Sequence, residues 1–358
     1  MFSTRFGIEI EFTGLTKDDA AGIAQQYLGG SVVHRGGPLD TYVVTAPDGR
    51  EWKFVYDSSI RCQKKENGRT MPAKSKYAVE MVSPILTYYD DINDLQSLVR
   101  RFRKAGGITN DTCGIHIHLD GQYHTVVSLK NFINLVASRN DLFYKALKIP
   151  PARQNYCKKM DETLVRKINE RKPRTMNELK KIWYEGYHET WNRHYHSSRY
   201  HFLNLHSYFA SSNHTVELRG FNSQLHAGKV RAYVVFSLAM NHQALNQTRA
   251  LYKKTQSENE KFAMRVYLTR IGLNGEEFKS CRMHLYEHLS GNAAWRYGSK
   301  ENCRSHRRKP EEQEAEPDNS SPPISRRSYN HDDTGCDDAY PDDYDDDYDY
   351  DEDDEINW

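Results

Sequence analysis

The chain has 358 residues, 37% hydrophobic and 28% charged, enough for one large domain or two. Its six cysteines are scattered without a C-x-x-C pair, which excludes a zinc ribbon or dense disulfide framework, and its longest apolar stretch, near 232–240, is too short for a bilayer span. The formal charge of +1 conceals 43 Lys and Arg against 28 Asp and Glu in residues 1–298 (+15), and 7 against 21 in residues 299–358 (−14), so a basic body joins an acidic tail.

The N-terminus runs almost at once into a charged strand at 5–12, with no signal-peptide pattern. With the scattered cysteines, this predicts a soluble protein of the reducing cytoplasm. Residues 18–28 read as a helix ended by Gly29-Gly30. Strands follow at 31–34, 41–46 and 52–56, separated by turn signals at Gly36-Gly37-Pro38 and Pro47-Asp48-Gly49. A strand at 77–83 stops at Ser83-Pro84, and an amphipathic helix covers 91–105 before Gly106-Gly107. Beyond the strand around His116, helices are expected at 128–147, 227–250, 258–271 and 276–289, with strands at 200–206 and around Glu217. The basic, aromatic segment 150–198 fits two helices and a loop. Strands and helices do not alternate strictly, so the expected class is α+β with a mainly antiparallel sheet and helices on one face. Residues 1–298 would form the domain. The Asp/Tyr-rich remainder, 299–358, cannot bury enough apolar surface to offset its ordering entropy and is expected to be disordered alone.

Three strands share one pattern, functional side chains two residues apart with apolar residues between them. They are Phe6-Gly7-Ile8-Glu9-Ile10-Glu11-Phe12, Cys113-Gly114-Ile115-His116-Ile117-His118-Leu119 and Thr215-Val216-Glu217-Leu218-Arg219. Alternate side chains of a strand point to opposite faces, roughly 6.5–7 Å apart along one face. Isoleucine, leucine and valine would enter a core, while Glu9/Glu11, His116/His118 and Glu217/Arg219 share the open face. Carboxylates suit Mg²⁺ or Mn²⁺, and an imidazole leans the choice towards Mn²⁺. An arginine fork suits phosphate, and metal with arginine is the equipment of phosphoryl transfer. Any one pair alone reads as a solvated face or an ion pair. Three in one chain, each with a clean apolar back, point to an enzyme site. Glu80 and Asp57 are lone carboxylates at strand positions. His194-Tyr195-His196 has the same spacing without apolar alternation and reads as surface.

At these residues the chain resembles the amidoligase family of carboxylate–amine ligases, whose fold is like that of glutamine synthetase, and this resemblance implies that the sheet is curved. The matching elements come in family order: Phe6–Glu11, Trp52 through Asp57-Ser58-Ser59-Ile60, Val79–Pro84, Cys113–His118, Tyr200–Leu205 and Thr215–Arg219, within roughly residues 5–245. The resemblance implies that Glu9, Glu11, Glu80, His116 and Glu217 bind two or three divalent ions, with His118 a further or alternative ligand. It also implies that Arg219 contacts the γ-phosphate of ATP and an acyl-phosphate, that Asp57 positions or deprotonates an amine, and that Asn204 and Arg153 are softer matches. Asn204 is placed with the nucleotide site, and Arg153 would hold a substrate carboxylate. ATP would phosphorylate a carboxylate and an amine would then displace phosphate. Asp57-Ser58-Ser59 has serine where relatives often carry glycine. The carboxylate and amine substrates, whether small molecules, peptides or proteins, are not specified. Two other readings of the same sheet stay open, a non-catalytic binding protein and a metal-dependent hydrolase.

Lys158-Lys159, Arg166-Lys167, Arg171-Lys172, Arg174 and Lys180-Lys181 lie among Trp183, Tyr184, Tyr187 and Trp191. A solvated helical hairpin with packing aromatics explains them better than a nucleic-acid surface. The acidic tail would solubilise the chain or fold back on the +15 body. No membrane partner is indicated.

Overall fold

The computed structural model describes residues 1–254 and 257–307. Strand β1 (Phe6–Phe12) leads into helix α1 (Lys17–Leu28), whose start is fixed by a reciprocal cap: Thr16 Oγ1 accepts from the Asp19 amide and the Asp19 carboxylate accepts from the Thr16 amide. After Gly29, at φ 78°, come β2 (Ser31–Gly36), β3 (Thr41–Thr45) and β4 (Glu51–Val55). A separate hairpin, β5 (Gln63–Glu66) and β6 (Arg69–Pro72), precedes β7 (Val79–Val82), α2 (Tyr88–Lys104) and β8 (Gly114–Asp120). Helices α3 (Val126–Ala137), α4 (Asn140–Ala146), α5 (Glu162–Arg171) and α6 (Met176–Tyr184) follow. Short β9 (Leu203–Asn204), α7 (His206–Ala210) and β10 (Thr215–Asn222) complete the sheet. Helices α8 (Ala227–Asn246), α9 (Glu260–Arg270), α10 (Lys279–Tyr286) and α11 (Lys300–Arg307) end the described chain.

Eight strands form one sheet in the order β2-β3-β4-β7-β1-β8-β10-β9, and every strand pair in it is antiparallel. One face carries Ile8, Ile10, Phe12, Trp52, Phe54, Val79, Met81, Ile115, Ile117, Leu119, Val216 and Leu218, all buried. They merge with apolar side chains of α1, α2, α3 and α8 into one core cluster, so the helices cover this face and leave the other to polar residues. The α+β class and the sheet read from the sequence are therefore observed. Among the described residues no helix is long and apolar enough to cross a membrane, and the five cysteines are free.

Three elements and one residue differ from expectation. The helix expected over 128–147 breaks between α3 and α4, where the Ser138 hydroxyl donates to the Leu135 carbonyl and the Arg139 guanidinium lies 4.2 Å from the Tyr267 ring. The strand expected over 200–206 keeps only two residues, because the Asn204 side chain accepts from the His206 amide and starts α7. The β5–β6 hairpin falls in a stretch with no assigned element; Asn67 and Gly68 turn it at φ 50° and 75°. His196 is buried rather than on the surface: Nδ1 accepts from the Ser198 amide at 3.1 Å and the ring packs on Tyr184, Tyr187 and His206. Segment 150–198 holds two helices, as expected. Of the tail expected to begin at 299, residues 300–307 form α11 and the rest lies outside the described residues.

Candidate functional site

Strand register assembles the site. Glu11 on β1 stands opposite Glu80 on β7, Glu9 opposite His116 on β8, and His118 opposite Glu217 on β10, which is opposite Asn204 on β9. Antiparallel partners point to the same face, so residues distant in sequence meet in one row on the open side of the sheet. Asp57, two residues beyond β4, closes the row at the Glu11–Glu80 end; its Oδ1 accepts from the Ser59 amide at 2.6 Å.

Distances within the row are short. His116 Nδ1 lies 2.9 Å from Glu9 Oε2, and His118 Nε2 lies 3.3 Å from Glu9 Oε1 and 3.9 Å from Glu217 Oε1. Arg219 Nη1 donates to Glu217 Oε1, Asn204 Nδ2 donates to Glu217 Oε2 at 2.6 Å, and the Gly114 amide donates to Glu11 Oε2 at 2.6 Å. Three overlapping groups offer ligand atoms within 4.8 Å of one another: Glu9, His118 and Glu217; Glu9, Glu80 and His116; and Glu11, Glu80 and Asp57. Glu9 and Glu80 each belong to two groups.

Electrostatics divides the row. Burial alone would raise Glu9, but the imidazoles of His118 and His116 outweigh it and hold Glu9 well below the ordinary carboxylate range. Glu217 is likewise brought to about 2, burial being overcome by Arg219 and His118. At the other end burial and the charges of Glu9, Glu11 and Asp57 push Glu80 well above its ordinary value, and burial with Asp57 brings Glu11 to about 7. Burial and Arg219 lower His116 to about 4, whereas Glu217 and Glu9 overcome burial to raise His118 to about 9. Five carboxylates, Glu9, Glu11, Asp57, Glu80 and Glu217, outnumber the cations here, which suits a site completed by a divalent cation.

Glu9, Glu11, Asp57, Glu80, His116, His118, Glu217 and Arg219 thus converge, as the sequence reading expected. Asn204 joins them through Glu217 and not through a free amide. Arg153 is placed differently. It is buried, with Nη1 donating to the Phe221 carbonyl at 2.6 Å and the Asn222 side chain at 3.2 Å, and Nη2 donating to the Arg219 carbonyl at 2.8 Å. Those donors brace β10 where its register with β8 shifts between Leu218 and Phe221, in place of the substrate carboxylate expected of them. Gly220 sits at this bulge, where an added Cβ would lie 2.0 Å from the Phe202 ring. Strict alternation misses the bulge; the signal for it was the lone glycine after Arg219. The Gly114 amide and Thr215, whose hydroxyl lies 3.2 Å from His118 Nδ1, are further partners that side-chain spacing does not reveal.

In the basic segment, Lys167 and Arg171 both pair with Glu185, Arg166 reaches Glu170, and Trp183 is buried. The segment forms two helices with packing aromatics, and Lys172, Arg174, Lys180 and Lys181 have no carboxylate partner among the described residues. A family model described as "putative amidoligase enzyme" matches residues 3–241 of the chain. No curated protein matches it.

Proposed function

Because the chain belongs to the amidoligase family, whose match takes in every residue of the row, we propose that it is an ATP-dependent ligase joining a carboxylate to an amine through an acyl-phosphate. The observation that carries this reading is the meeting of five carboxylates, two imidazoles and one arginine from separate strands in one row. Glu9, Glu11, Glu80, His116, His118 and Glu217 are the residues that would hold Mg²⁺ or Mn²⁺. When bound, such ions neutralise phosphate oxygens and the charge that develops as the phosphoryl group transfers.

The remaining steps fall to the protein's own groups. Glu217, fixed by Asn204, holds Nη1 of the Arg219 guanidinium and the Tyr156 carbonyl accepts from Nε at 3.4 Å; Nη2 serves the γ-phosphate and then the acyl-phosphate. A substrate carboxylate oxygen attacks the γ-phosphorus as the bond to ADP breaks. The amine then attacks the acyl carbon, the C–O bond breaks to release phosphate, and the amine's proton passes to Asp57. Arg153 keeps the backbone under Arg219 in place. Burial of the row limits access of water to the acyl-phosphate.

The test is release of ADP and phosphate from ATP with Mg²⁺ or Mn²⁺ across pooled carboxylates and amines, together with Glu9→Gln and Arg219→Ala. Turnover that both substitutions abolish supports the ligase. Metal-dependent cleavage without ATP would favour the hydrolase, and absence of both ATP and metal binding would favour a non-catalytic role.

A further inference from the structure

We propose that the β5–β6 hairpin is a docking surface for acidic polypeptide, and that its occupant is the chain's own C-terminal segment, residues 332–355. Residues 61–76 carry six basic side chains against one acidic. Arg61 is paired with Asp111 and Lys64 with Glu66. Lys65, Arg69, Lys74 and Lys76 are exposed, with no carboxylate partner among the described residues. On α5 and α6 Glu170 and Glu185 answer Arg166, Lys167 and Arg171, while Lys172, Arg174 and Lys181 are exposed without a carboxylate partner among the described residues, and so serve as the comparison surface.

The hairpin has little packing role of its own, because β6 is exposed along its whole length, Met71 included. Its base is nevertheless pinned: Thr13 Oγ1 donates to the Gln63 carbonyl and accepts from the Gln63 amide, both at 2.8 Å. Its two roots run into Asp57 on one side and Glu80 on the other, the two outer members of the Glu11 group. The last turn of α2, which includes Arg101 and Lys104, is the neighbouring basic stretch, because the Thr13 and Ile108 backbones bridge beside the hairpin's base.

The proposed occupant matches this surface in charge and reach. Residues 332–355 hold fifteen Asp and Glu, no Lys or Arg, and four tyrosines able to lie against lysine and arginine side chains. Between residue 307 and this segment lie 24 residues, enough to span about 80 Å at full extension. Covalent attachment gives millimolar effective concentration, so individually weak ion pairs suffice. At physiological salt the screening length is about 8 Å, which confines the attraction to direct contacts. Occupancy would set a row of carboxylates at the Asp57–Glu80 end of the site, where an acidic polypeptide from outside must compete with it.

Zero-length carbodiimide crosslinking of the full chain, read by mass spectrometry, tests this without requiring catalysis. The expected products join Lys65, Lys74 or Lys76 to carboxylates of 332–355 within one molecule. They should be lost at 0.5 M NaCl and in Lys65→Glu/Arg69→Glu/Lys74→Glu/Lys76→Glu, yet persist in Lys172→Glu/Lys181→Glu. Crosslinks that spread over α5 and α6, that join light to heavy chains in an isotope-mixed sample, or that fail to form at low salt would each overturn the proposal. A failure of the ligase reading would leave these products unchanged.

Discussion

Replacing Glu11 by glutamine should make the metal-free protein more stable above neutral pH, although it removes a residue of the site. Glu11 is buried between Asp57 and Glu80, and its carboxyl titrates near 7 instead of its ordinary 4.5, through burial first and the Asp57 charge second. The sign follows from which state holds the proton more tightly. A carboxyl raised by folding favours the protonated form, so it costs nothing below about pH 4.5, and the cost grows until the folded group has ionised. The displacement from 4.5 to about 7 corresponds to about 3 kcal/mol at pH 8 and under about 1 kcal/mol at pH 5. Glutamine keeps the shape and can still accept from the Gly114 amide, which now donates to Glu11 Oε2. For about 300 ordered residues, 3 kcal/mol is about 5 °C in Tm. Thermal and urea unfolding of both proteins in EDTA, from pH 5 to pH 8, measure the difference. A glutamine variant no more stable than the parent at pH 8, or one whose gain does not change with pH, would refute the reasoning. Saturating Mn²⁺ should reverse the order, because only the parent presents the Glu11 carboxylate to the ion.

Arg153→Ala should destabilise the chain by about 3–5 kcal/mol in urea unfolding, since it strips the Arg219 and Phe221 carbonyls of buried donors; a loss below 1 kcal/mol would show that the bulge stands without its brace. In Gly220→Ala the new methyl collides with the Phe202 ring, so about 3 kcal/mol or more should be lost, and nucleotide binding should weaken with it; an unchanged Tm would refute the packing argument. Binding of Mn²⁺ at pH 7.5 should release at least one proton, because His118 titrates near 9 and must lose its proton to ligate. Affinity therefore rises with pH, and calorimetry in buffers of different ionisation enthalpy that finds no release would contradict this.

The site was largely legible in the sequence, for a definite reason. Glu9/Glu11, His116/His118 and Glu217/Arg219 lie on strands whose intervening residues are buried, so period-two alternation reports face directly. Glu80 and Asp57 carried no such pattern and depended on the family likeness. What escaped was whatever depends on a backbone departing from its period. The bulge at Gly220 turns Arg153 from a ligand-facing residue into a brace, and Asn204 ends its strand with a side chain that imitates backbone. The Asn67-Gly68 turn was visible as a dipeptide, but Lys64, Lys65, Arg69 and Thr70 beside it gave no apolar alternation to mark the flanking strands.

That Glu9 and Glu80 each serve two of the three groups ties the groups' fates together. An ion in the middle group would draw on both carboxylates and leave each neighbour to share an oxygen donor. Filling of the three groups would then be coupled, and titration with a divalent ion should depart from a single-site isotherm. The same wiring makes Glu9 and Glu80 the costliest positions in the row, since losing either one disables two loci at a stroke, whereas losing Asp57 or His118 disables one.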